Sequence, residues 1–408
     1  MNSIISPKIT KLLNQLNNGN AEVLQTFLHE LKTNAAPLIE TCPMNEQYNL
    51  ITYIWLGDAD TENVYVFGSY PGWDLNSNQL ERLLDTNIWY KTFRTNKKFV
   101  STYHFSVNDH FEHDWIARSK QYQLDPFNNT IFGKETDKAA VLEMGMNIQY
   151  DKKFPQNDDF QGEIETYSFY SSILGNTRKI YVYTPCNTRK IYVYTPCNYS
   201  YNSSPQDLLI AFDGNTFMQN LSAPMTLDYF IRKQEIPSCI AVGIDQVDRL
   251  AELTYNDNMN AFLTEELLPW MQTKYHVHKE PSHVTIAGLS LGGLAAFYAA
   301  LHNPHVFGNV LSLSGSVHWK KDGYEDDLPW TEKQFLSLHH VLRLRMYMAA
   351  GTLENEPLLK ANRSLSKTFR EKEYQITYNE FQGGHDEIWW REQFVEGILA
   401  LTHSKATL

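Results

Sequence analysis

At 408 residues the chain has room for two domains of ordinary size, and its 42% hydrophobic and 20% charged residues suit a globular protein with a large core. A formal net charge of −12, with no long basic run to offset it, argues against a general nucleic-acid binder. No run of about 18 apolar residues occurs, so no membrane span is expected, and Met1–Lys8 lacks the apolar stretch of a secretory leader.

Residues 1–45 read as a helical segment. Leu12, Leu13, Leu16, Val23, Leu24, Phe27, Leu28 and Leu31 recur at roughly helical spacing on either side of a break at Asn17–Asn20, as in a packing appendage. From 46 to 155 the pattern changes to short β-rich runs: Tyr48–Leu56, Asn63–Phe67, Ile88–Arg94 and Phe99–Phe105. Turn signals at Gly57-Asp58 and Ser69–Gly72 separate them, which predicts a small immunoglobulin-like β-sandwich.

Residues 156–408 alternate strands with helices. The strands are expected at Thr166–Leu174, Leu208–Phe212, Cys239–Ile244, Val284–Ala287, Asn309–Ser314, Arg343–Ala350 and Gln375–Gln382. The helices are expected at Asn258–Tyr275, Leu291–His302, Glu356–Lys372 and Ile388–Thr402. Such alternation predicts an α/β domain with a mainly parallel sheet covered on both faces. One internal repeat stands out, because Asn176–Cys186 recurs residue for residue as Asn187–Cys197. Two copies of so short a unit make no solenoid. One copy is expected in the sheet, and the other as an extra hairpin strand or loop.

The run that carries chemistry is Val284–Tyr298. A β-branched strand enters Gly288-Leu-Ser290-Leu-Gly292, and an Ala-rich helix follows at once. This is the strand–turn–helix context of a nucleophile elbow in an α/β-hydrolase, which makes Ser290 the candidate nucleophile. A serine hydroxyl is a weak nucleophile at neutral pH and needs a base. The expected chain order is Ser, acid, His, and His385 stands in the glycine loop Gly383-Gly-His-Asp386 between a strand and a helix. The acid should follow the preceding strand, where Glu354 and Glu356 both qualify and Glu354 is favoured. Oxyanion donors are expected from the Leu291 N–H and from the Gly214 or Asn215 N–H, after the strand Leu208–Phe212. Neither His276-Val277-His278 nor His339-His340 has a third or fourth ligand at zinc-like sequence spacing, so no metal and no cofactor is expected. Cys42, Cys186, Cys197 and Cys239 form no CxxC, and read as reduced thiols of a cytoplasmic protein.

With these residues in view, the chain resembles the enterochelin esterase family, α/β-hydrolases related to esterase D that cut catecholate siderophore esters. The likeness spans residues 46–405. It rests on Leu209–Gly214, Asp248–Leu253, Glu266–Pro269, Ala287–Leu294, Leu313–Ser316, Gly383–Asp386 and the Trp390-Arg391 pair. It implies a triad of Ser290, Glu354 and His385, an N-terminal β-domain, and Arg249 and Arg391 as site residues for an anionic substrate. The substrate would be a small siderophore ester, with iron present only inside it. Trp319, Trp389 and Trp390 are candidates to stack on catechol rings. The segment from Val317 to Trp330 departs from the family's aromatic pattern, and the duplicated strand has no counterpart there. Two other readings stand beside this one. The first is a general carboxylesterase or thioesterase of the esterase D type, acting on feruloyl, acetyl or similar esters. The second is a non-catalytic sugar or siderophore binder, which leaves the ordered Ser, Glu and His unexplained.

Overall fold

A computed structural model describes residues 6–34, 36–96, 98–111, 114–133, 138–145, 163–184 and 204–403. The chain divides into two compact units. One comprises residues 1–148 together with 382–386, and the other comprises 149–381 and 387–408.

The N-terminal unit opens with α1 (Pro7–Asn17) and α2 (Glu22–Asn34). The Ser6 side chain caps α1 by accepting the Ile9 N–H at 3.1 Å, and Pro7 occupies the first turn, where its missing N–H costs nothing. Ile9, Leu12, Phe27 and Leu31 pack with Ile54, Leu83, Ile88 and Tyr90 in one apolar cluster. Helical periodicity at these positions therefore reflects burial against a sheet. The strands are β1 (Leu38–Thr41), β2 (Tyr48–Leu56), β3 (Val64–Gly68), β4 (Glu81–Arg82), β5 (Ile88–Asn96), β6 (Phe99–Val107), β7 (Ile131–Phe132) and β8 (Ala139–Met144). They form two four-stranded sheets, ordered β1-β2-β5-β4 and β3-β6-β8-β7, with every ladder antiparallel. Short helices α3 (Leu75–Asn78) and α4 (Trp115–Ser119) sit in the connections.

Two buried polar clusters, one around Arg118 and one around Asp125, stand out in this unit. Arg118 is fully buried and holds Asp109 through two bonds, Nε to Oδ2 at 2.6 Å and Nη2 to Oδ1 at 3.2 Å. Asp125 accepts the Tyr103 hydroxyl at 2.7 Å and the Phe127 N–H at 2.8 Å, yet burial pushes its carboxyl up to about 6. A carboxyl raised above its unfolded value binds more protons folded than unfolded between the two values, so stability falls as pH rises through that window. Compared with Asp125→Asn, the wild-type protein should lose stability from about pH 4 to pH 6, on the order of 2–3 kcal/mol, read from denaturant midpoints at each pH. A difference independent of pH would show that this carboxyl ionises freely in the folded protein.

The second unit is built on an eight-stranded sheet. Its strands are β9 (Glu163–Ser171), β10 (Asn176–Thr184), β11 (Asp207–Phe212), β12 (Cys239–Ile244), β13 (Val284–Leu289), β14 (Asn309–Leu313), β15 (Arg345–Gly351) and β16 (Gln375–Phe381). The spatial order is β16-β15-β14-β13-β11-β12-β10-β9. The ladders from β12 to β16 are parallel, and β10 pairs antiparallel with both β12 and β9. The helices are α5 (Ala223–Arg232), α6 (Arg249–Leu253), α7 (Asp257–Ala261), α8 (Leu268–Lys274), α9 (Leu291–His302), α10 (Trp330–Ser337), α11 (Glu356–Glu371) and α12 (Glu387–His403). The first repeat copy supplies β10, whereas the second copy, Asn187–Cys197, lies outside the described residues. The single helix expected over Asn258–Tyr275 is instead α7, a π-helical turn at Phe262–Leu267, and α8. Pro269 lies in the first turn of α8; it lacks an N–H and cannot continue a regular α-helical ladder.

The parallel register aligns the strand ends. Leu289 pairs with Leu313, Leu313 with Ala349, and Gly351 with Phe381. The segments following β13, β14, β15 and β16 therefore leave from one edge of the sheet. Among the described residues no helix is long and apolar enough to cross a membrane. Cys42 and Cys239 are buried free thiols.

Candidate active site

Ser290 sits between β13 and α9 with φ 56° and ψ −121°, a conformation that L-residues avoid. The surrounding glycines explain how the chain tolerates so tight a turn. A Cβ on Gly288 would lie 2.1 Å from the Gly292 carbonyl carbon and oxygen, and one on Gly293 would lie 2.5 Å from Ser312 Oγ. The Ser290 N–H donates to Leu313 at 2.9 Å, and its carbonyl accepts the Gly293 and Leu294 N–H groups at 3.0 and 3.2 Å. The α9 core from Leu294 to Ala300 is entirely buried, as expected of a helix apolar on all sides. The elbow therefore rests on a rigid strand and a rigid helix. Leu291 is the first residue of α9, where a backbone N–H has no acceptor within the helix.

Ser316 joins this site although the sequence assigned it no role. Its Oγ lies 3.3 Å from Ser290 Oγ, and its N–H donates to the Ser290 carbonyl at 2.9 Å. The signal available was the small-residue run Ser314-Gly-Ser316 at a strand end, which gives no partner by itself.

The loop after β11 contains both alternatives for the second oxyanion donor, and the structure separates them. The Asn215 N–H already donates to the Asp245 carboxylate at 2.8 Å, and that anion would repel a developing oxyanion. Gly214 is backed against β12, with a Cβ position only 2.5 Å from the Gly243 carbonyl carbon. The expectation for Asn215 is thus corrected, and Gly214 is the remaining candidate.

Arg249, a site residue by the resemblance, is paired with the residue that follows β11. Its guanidinium grips Asp213 through Nε to Oδ1 at 2.6 Å and Nη2 to Oδ2 at 2.8 Å, and reaches the Leu289 carbonyl at 3.4 Å. Asp213 itself has φ 53°, and its Oδ2 stands 3.1 Å from where a Gly292 Cβ would be. Arg249 therefore braces the elbow through this ion pair, with its side chain still 42% exposed. The short helix α6 that carries it is held by Glu252, which pairs with the buried Arg178 of β10 at 2.9 and 3.2 Å. Replacing Arg249 with Ala should lower kcat by about tenfold toward neutral and anionic esters alike, the size of one charge-assisted contact. A KM increase confined to an anionic substrate would return Arg249 to a binding role.

Glu354 lies in the turn after β15, is buried, and donates its N–H to Gly351 at 3.2 Å. Glu356 is exposed on the first turn of α11. His385 lies in the segment 382–386, which groups with the N-terminal unit. There its carbonyl accepts the Ser69 hydroxyl at 2.8 Å. The neighbouring Asp386 carboxylate accepts the Thr102 N–H at 2.6 Å and the Thr102 hydroxyl at 2.9 Å.

The tryptophans divide. Trp319 is 39% exposed and lines a cavity of about 350 Å³ together with Tyr324, Trp330, Lys320 and Lys360. Trp390 is 6% exposed, and its indole N–H donates to Ser314 Oγ at 2.8 Å. Trp389 is buried and stacks on Phe381 at 5.2 Å. Rings packed in this way present no face to a ligand, so the stacking expectation for Trp389 and Trp390 gives way to a packing role. Arg391 is half-buried on the first turns of α12.

Residues 183–401 match the sequence family described as "Putative esterase". The chain belongs to this esterase family. It is 24% identical to the iron(III) enterobactin esterase of Escherichia coli K12 over 376 residues, covering 88% of each chain. It is also 24% identical to the iron(III) salmochelin esterase of E. coli O6:H1 over 419 residues, covering 96% of each. The fold is that of the Shigella flexneri enterobactin esterase solved in the presence of enterobactin, with a TM-score of 0.69 and 24% identity. That match covers 91% of this chain and 97% of the other.

Proposed function

We propose that this esterase hydrolyses the ester bonds of a catecholate siderophore of the enterobactin type and so releases its iron. In this reading Ser290 is the nucleophile, His385 the general base, and Glu354 the acid that orients the imidazole. The observation that carries the reading is the strained Ser290 at φ 56°, ψ −121°. Backbone strain of this kind persists only where surrounding structure enforces it, and a nucleophile exposed on a sharp turn is what acyl transfer requires.

In the reaction, Ser290 Oγ attacks the ester carbonyl while His385 takes its proton. The Leu291 and Gly214 N–H groups hold the oxyanion. His385 then protonates the departing serine hydroxyl as its C–O bond breaks. A water deprotonated by His385 cleaves the acyl-enzyme. Glu354 keeps the imidazole tautomer correct and stabilises its charged form. Fe(III) enters as part of the substrate.

The siderophore class is supported by likeness to the enterobactin and salmochelin esterases along nearly the whole chain. Trp319 adds to it, since an exposed indole lining a cavity can stack on a flat ring. Arg391 is assigned to the same substrate. The two antiparallel sheets of the N-terminal unit are read as an immunoglobulin-like sandwich, and the protein as cytoplasmic. The test is steady-state hydrolysis of a triserine triscatecholate, with and without Fe(III), beside feruloyl, acetyl and p-nitrophenyl esters. Turnover of the simple esters alone would discard the siderophore and leave a general carboxylesterase.

A further inference from the structure

We propose that Asp207, His278 and His283 form a binding site for one divalent transition-metal ion, Zn²⁺ by preference, at the edge of the large sheet opposite Ser290. The sequence hides this site because His278 has no zinc-like cluster around it in the chain. The fold supplies one. One ligand atom from each of the three side chains falls within 4.8 Å of the others. An ion with bonds of about 2.0–2.1 Å places neighbouring tetrahedral ligands about 3.3 Å apart, so binding draws the most distant of these atoms together by up to about 1.5 Å.

The two imidazoles stack face to face, with centroids 3.9 Å apart and planes 18° from parallel, so one ring must turn to bring its in-plane lone pair onto a shared ion. His283 Nδ1 lies 2.6 Å from Asp207 Oδ1, and His278 Nδ1 lies 3.4 Å from Glu280 Oε2. All three ligand residues are half-buried. Two imidazoles and a carboxylate are a donor set suited to zinc among the abundant divalent ions, and Glu280 or a water can complete a tetrahedron.

The position gives the ion a structural task. Asp207 begins β11 and His283 immediately precedes β13, while Ser290 follows the far end of β13. Six strand residues at about 3.3 Å each separate cluster and nucleophile by about 20 Å. A bound ion would clamp the 276–283 connection onto two central strands without entering the ester chemistry.

The experiment is calorimetric titration of the EDTA-treated, dialysed full-length protein with zinc sulfate. Thermal melts and the visible spectrum of the Co²⁺-loaded protein accompany it. Wild type should bind one equivalent, melt several degrees higher with zinc, and show a tetrahedral cobalt spectrum. His278→Gln, which alters a partly exposed side chain, should weaken binding at least a hundredfold and lose the thermal shift while kcat stays unchanged. His283→Gln should do the same, and His339→Gln should behave as wild type. No stoichiometric binding by wild type, or undiminished binding by both His278→Gln and His283→Gln, would overturn the proposal.

Discussion

Ser290→Ala should lower kcat by about four to six orders of magnitude, leaving only the residual rate that substrate binding and the oxyanion donors provide. The folded protein should survive the change. Serine already carries a Cβ at φ 56°, so alanine adds no backbone strain there, and the main-chain hydrogen bonds of the elbow do not depend on the hydroxyl. The measurement is hydrolysis of a p-nitrophenyl ester and of a triscatecholate by a preparation free of wild-type enzyme, together with a thermal melt. Ser316→Ala is the matching control, because its hydroxyl lies 3.3 Å from that of Ser290. If Ser316→Ala were as inactive and Ser290→Ala retained turnover, the nucleophile would have to be reassigned.

Glu354→Gln should cost about a hundred- to ten-thousandfold in kcat, with little change in KM. An amide keeps the shape but neither fixes the required imidazole tautomer nor stabilises the imidazolium. Glu356→Gln should stay within a few-fold of wild type. Glu354 is buried in the turn after β15, whereas Glu356 is solvent-exposed at the start of α11. Parallel kcat and KM values for the two variants decide the matter, and the reverse ranking would move the acid two residues along the chain.

Local pattern made much of this legible. The helical spacing of Leu12, Phe27 and Leu31, the β-branched run of β13, and the Gly-x-Ser-x-Gly turn each follow from residue chemistry that acts over a few positions. Ser290 was accessible for that reason. Residues that act across the sheet were not. Asp245 lies 30 residues from Asn215, yet β11 and β12 run side by side and place its carboxylate on that N–H. Arg249 meets Asp213 through the same adjacency, a partner that the sequence alone does not reveal. Trp390 looked like a stacking ring because nothing in the sequence tells which face of α12 meets Ser314. Asp207 and His283 escaped in the same way, as their nearness depends on the pairing of β11 with β13.

The five residues 382–386 have a consequence for how this enzyme comes into being. Synthesis proceeds from the N-terminus, and domains usually fold as they emerge. The first 148 residues leave the ribosome long before their remaining members, so Ser69 and Thr102 wait for His385 and Asp386 until almost the whole polypeptide exists. A nascent or C-terminally clipped chain would possess the nucleophile and its elbow but lack the proposed base. On this reading incomplete copies would be silent, and hydrolysis would report that translation ran past residue 386.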